Sequence, residues 1–101
     1  MSQTTTEIPL LVTHSREQYL RKNEVRIRNL ALPQHNTDPL VELHLNAVHM
    51  AEDLEQIHAS AASGYRSLNT APHRVQIHEH HAAAANQIKL YHLDKLATIL
   101  L

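Results

Sequence analysis

Histidine is used out of proportion in this chain, ten times in 101 residues. An imidazole can ligate a transition metal or carry a proton near neutral pH, and spacing has to decide between these and a plain solvated ring. On helices a metal site draws ligands from one face, three or four positions apart. His78 and His81 have that spacing, as do His49 and Asp53, and Glu55 with His58 forms the Glu-x-x-His step of di-iron carboxylate bundles. Glu24 could add a carboxylate from another helix, and a dimer would double each ligand. A single-chain di-iron site needs two such steps and two more carboxylates, yet this chain has one step. Glu55 also stands about 100° round the helix from the Leu54 line. No resident metal or cofactor is therefore expected, and Glu55, His58, His78 and His81 are the candidates should an ion bind.

The other chemistry of histidine is titration. His73, His78, His80 and His81 lie close together and would repel one another once charged. Catalysis has less to draw on. Ser60, Ser63 and Ser67 lie near His58, but there is no Gly-rich phosphate loop, nucleophile elbow or cysteine. The expectation is a protein that is not an enzyme.

Charge is the next feature. Arg16, Arg21, Lys22, Arg26 and Arg28 crowd one short stretch. Between Asn29 and Tyr65 there is no lysine or arginine, while Asp38, Glu42, Glu52, Asp53 and Glu55 fall in that gap. Two helices joined by a tight turn would set a basic rod antiparallel to an acidic one. The five cations are the candidate contacts for a partner or for nucleic acid. Glu17 and Glu24 interleave with them, the chain's net charge is −1, and no aromatic set is available for stacking bases. Nucleic acid is thus the less favoured partner.

Elements must position these groups. One glycine, four prolines, no cysteine and no phenylalanine or tryptophan suit helices packed through Leu and Ala. No apolar run is long enough to span a bilayer. The absence of cysteine matches a reducing cytoplasm, the expected location. Residues 1–14 read as a flexible arm, with Ile8 to Val12 as an apolar patch that can dock. A first helix is expected over 15–31, opened by a Ser15/Gln18 capping box and laced by the i,i+4 pairs Glu17–Arg21 and Glu24–Arg28. A second is expected over 38–63, with Asp38 as N-cap, Pro39 at its first position and Gly64 at its end. Leu40, Leu43, Ala47, Met50, Leu54, Ile57 and Ala61 give it a narrow heptad seam.

A third helix is expected over 70–100. At about 45 Å, against about 25 Å for the first, it would outrun a three-helix core. Its tail, with Leu90, Leu93, Leu96 and Leu100, is therefore the expected dimer contact. The fold class is all-α: a helical hairpin plus a long C-terminal helix, assembled as a homodimeric bundle. A long helix with an alanine strip and a leucine-rich tail favours contact with another protein. The function expected is that of a small regulatory or inhibitory accessory protein, acting by binding a protein partner. The alternatives are a nucleic-acid-associated protein and a metal-binding bundle.

Overall fold

The computed structural model describes residues 8–69 and 71–101. Residues 1–7 of the arm expected over 1–14 lie outside them, as does Thr70. Three helices follow in order: α1 (His14–Ala31), α2 (Pro39–Leu68) and α3 (Pro72–Leu100). No strand occurs among the described residues.

Local chemistry accounts for most helix ends. Asp38 caps α2 as the sequence predicts: its carboxylate accepts from Leu40 N at 2.9 Å, and Pro39 occupies the first helical position. The start of α1 differs. Thr13, not Ser15, is the N-cap, accepting from Arg16 N at 3.2 Å, and Ser15 lies inside the helix. Two hydroxyl residues stand two positions apart, and the earlier one captures the free amide.

The end of α2 differs more. The helix runs through Gly64 and stops at Leu68, with Asn69 in the left-handed conformation (φ 56°, ψ 36°) as its C-cap. Asparagine tolerates that region, so glycine is not required there. As a result α2 has 30 residues and α3 has 29. They match each other: α3 still outruns the 18-residue α1, as expected, but α2 covers that extra length within the chain.

α2 and α3 form a long antiparallel hairpin, and α1 packs across one half of it, more on α3 than on α2. The core lies under α1. Leu20, Ile27 and Ala31 meet Val41, Leu45 and Val48 from α2 and Leu90, Leu93, Leu96 and Ala97 from α3. The apolar patch before α1 docks through one residue, Val12, which is buried in this core, and Leu11 N donates to Gln87 Oε1 at 3.1 Å. Leu90, Leu93 and Leu96, expected at a dimer contact, are fully buried within the single chain and serve its own core, and half-buried Leu100 packs against them. The leucines of the α3 tail are placed so because that tail meets α1 and α2 at once.

The basic and acidic stretches also pair differently from the expected rod-on-rod arrangement. Arg21 Nε donates to Glu17 Oε2 at 2.7 Å, an i,i+4 pair within α1. Arg28 reaches both its i,i+4 partner Glu24, at 2.8 Å, and Glu52 on α2. Arg16 Nε donates to Asp94 Oδ1 of α3 at 2.6 Å. Among the described residues one ion pair, Arg28–Glu52, joins α1 to α2. Burial opposes the charge on Arg28, but hydrogen bonds to Glu52 and Glu24 outweigh it and hold the guanidinium pKa above its ordinary value.

Candidate functional site

The heptad seam of α2 is the largest departure from expectation. It faces outward. Leu40, Leu43, Met50, Leu54 and Ile57 are all exposed, Leu43 at 61% and Met50 at 66%. The buried residues of α2 are Val41, Leu45, Val48, Ala51 and Ala62, a second apolar line set about 100° further round the helix. Two apolar lines run side by side along one helix, and periodicity alone cannot say which one faces the core.

α3 carries a matching feature. Ile77, Ile88 and Tyr91 are exposed, with half-buried Ala84 between them. At about 100° per residue, these side chains leave α3 on the side facing away from α1, as the seam does on α2. The hairpin therefore has two broad faces. One is covered by α1. The other is open and apolar along both helices; Lys95 on the α3 stripe lies over the Tyr91 ring, 5.0 Å from its centroid, and Arg74, two heptads before Ile88, lies over the Tyr65 ring at 5.7 Å.

Histidines line the join between the two helices. His44 Nδ1 lies 2.9 Å from His92 Nδ1, and His58 Nδ1 lies 2.9 Å from His78 Nδ1. Each pair takes one ring from α2 and one from α3, and both pairs sit symmetrically about Leu68. The His81 ring stacks on His58 with centroids 4.9 Å apart, and Tyr65 stacks on His78 at 5.7 Å and 11°. Burial, then the charges of His81 and His78, lowers the pKa of His58. Burial, then His44, lowers that of His92. In both cases the protonated form loses hydration and faces like charge.

Of the candidate ligands, the fold brings His58, His78 and His81 together. Glu55 is half-buried one turn from His58 and makes no hydrogen bond among the described residues. His49 and Asp53 are exposed on the polar flank of α2, and Glu24 is bonded to Arg28. His73 and His80 are exposed, with His80 edge-on to His81 at 6.4 Å. Ser60, Ser63 and Ser67 are exposed as well. Among the described residues no three His, Asp or Glu side chains converge on one point as they stand.

The pair His44–His92 went unseen in the sequence. Its signal is the symmetry about Leu68, which becomes visible only once the hairpin turn is placed at Asn69 rather than Gly64. Of the five candidate cations, Arg16, Arg21 and Arg28 are ion-paired, while Lys22 and Arg26 form no ion pair among the described residues. Val25, 83% exposed, lies between those two. No helix is long and apolar enough to cross a membrane among the described residues. Set against protein-family models, curated proteins and solved structures, the chain gives no match.

Proposed function

We propose that this chain is a non-catalytic accessory protein that works by protein–protein contact, and that its open hairpin face is covered by a second copy of itself. The observation that carries this reading is the outward heptad seam on α2. A 3.5-residue apolar repeat is the pattern that one helix needs to pack along another at a shallow angle. The core uses the neighbouring line instead, which leaves the seam for a partner.

A second copy is the occupant whose shape and chemistry match. Two hairpins laid face to face make a four-helix bundle, with both α1 helices on the outside. The contact would be isologous, each seam meeting the same surface on its partner. The face is about 45 Å long by helix rise and about 20 Å wide for two helices. Its area is thus close to the ~800 Å² per partner that a standard interface covers. The α2 seam positions are uncharged, and the cations of the α3 stripe, Lys95 and Arg74, are drawn over tyrosine rings.

The same arrangement leaves Lys22, Val25 and Arg26 outermost on α1. These residues form the contact surface for the regulated partner, and it favours an acidic one. With Arg16, Arg21 and Arg28 held in ion pairs, the basic stretch is a poorer phosphate-binding surface than its composition implies.

The absence of cysteine gives a direct test. A single Ile57→Cys variant labelled with a polarity-sensitive dye should shift its emission to the blue as concentration rises through the micromolar range. The same dye at Val25→Cys should not respond. A dye at position 57 that stays in water at all concentrations rules out coverage of the face by a second copy.

A further inference from the structure

We infer that His58, His78 and His81 form a binding site for a divalent transition metal, clamped between α2 and α3. The first observation is the approach of two ring nitrogens from different helices. In a dry pair one Nδ1 carries the proton and the other accepts it. When both rings hold their proton on Nε2, both Nδ1 lone pairs point at the same space. A metal at the usual imidazole distance of ~2.0–2.1 Å from each nitrogen would then be held at an angle of about 90°. That is the cis angle of tetragonal Cu(II) or Ni(II), and a separation of about 3.3 Å would meet the tetrahedral angle of Zn(II).

The second observation is the third ring. His81 lies three positions from His78 on α3 and already touches His58 by stacking. Within the single chain it is exposed, so rotation about its side-chain bonds meets no packed neighbour of the same chain on its outer side. That rotation exchanges a stacking contact for a metal bond and completes a three-imidazole set, with water in the fourth position. The His78 ring is held from its other neighbour by the stacked Tyr65, which orients one ligand in advance. The His44–His92 pair has the same nitrogen separation but no third histidine stacked on either ring, which singles out the distal pair as the metal site.

This half of the hairpin also has a reason to use a metal. The core under α1 draws on α2 only as far as Val48 and on α3 only from Leu90. Beyond it, towards the turn at Asn69, the two helices meet through alanines, histidines, Tyr65 with Arg74 and the exposed Arg66–Glu79 ion pair, without help from α1. An ion bonded to both helices would tie that distal end together, because a ligand that binds only the folded state stabilises it.

The test is calorimetric titration of the chain with Zn(II), and separately with Cu(II), at pH 7.5, followed by thermal melts with and without each ion. The expected result is one ion per chain and a raised melting temperature. His58→Gln and His78→Gln should each weaken binding at least tenfold, with His81→Gln, an exposed position that leaves the fold intact, doing so by about tenfold. His80→Gln should leave binding unchanged. Two results overturn the inference. One is binding that survives His58→Gln and His81→Gln but is lost with His80→Gln, which would mark a surface chelate on α3 alone. The other is no binding of either ion at 100 times the concentration of protein used.

Discussion

His44 and His92 stand Nδ1 to Nδ1 at 2.9 Å across the hairpin, 48 positions apart in the chain, with the Tyr91 ring edge-on to His92 at 5.2 Å. Only one proton fits between the two facing nitrogens, so a second proton on the pair brings two like charges together in a half-buried place.

The pH dependence follows from that geometry. Burial, then His44, lowers the His92 pKa in the folded chain. The unfolded chain therefore binds more protons as pH falls through the ordinary histidine value of about 6.5, and stability drops from there downward. Above that pH the stability is fully present. Melts at pH 7.5, 6.5 and 5.5 should show a falling melting temperature, and His92→Gln should flatten the fall. A melting temperature that rises toward pH 5.5 would reverse the sign and sink this account of the pair.

Core and face should respond differently to truncation. Leu93 is fully buried between all three helices, so Leu93→Ala should cost about 2–5 kcal/mol in the chain's own stability. Ile57, 61% exposed, should lose less than about 0.5 kcal/mol at concentrations where the chain is monomeric. Denaturant titrations of the two variants at low micromolar concentration check both values. Equal losses would show that the seam is part of the core.

Gly64 separates two readings of α2. Were it a helix end, alanine there would destabilise. Here it is inside a helix, with nothing within 4 Å of the position a Cβ would take. Gly64→Ala should therefore stabilise the chain by about 0.5–1 kcal/mol. A lower denaturation midpoint for the alanine variant would contradict the placement of the turn at Asn69.

Ion pairs should contribute unequally. The Arg21 side chain is 48% exposed, and its pair with Glu17 should contribute about 0.3 kcal/mol. Arg28 is 24% exposed and joins two carboxylates across two helices, so Arg28→Ala should cost about 1 kcal/mol. A double-mutant cycle with Glu52→Ala isolates the α1–α2 link. A coupling energy indistinguishable from that of the Arg21 pair would remove any special role for Arg28.

The class of fold was legible in the residues, and so were Asp38 as a cap, the i,i+4 pairs and the end of α1 at Ala31. Those signals are local, and each needs only a few neighbouring positions. Gly64 misled because a lone glycine reads as a terminus, while Asn69 can adopt the same left-handed backbone. α3 does exceed α1, as its length in sequence implies; what the residues hide is that α2 runs beside it for its whole length, which puts Leu93 in the core and not on a surface. The seam misled for another reason. Leu40 and Val41 begin two parallel apolar lines on α2, and which of them meets α1 is a tertiary fact. His58, His78 and His81 were visible as ligand types, but their meeting depends on the hairpin register, which only the turn position sets.

A second copy on the hairpin face doubles the mass of the protein in solution. Sedimentation velocity of the unmodified chain at 50 micromolar should give twice the mass of one chain. The Leu43→Glu, Ile57→Glu double variant should sediment as a folded monomer, with its helical circular dichroism retained. A single-chain mass for the unmodified protein at that concentration, or a dimer that persists in the double variant, would contradict the account.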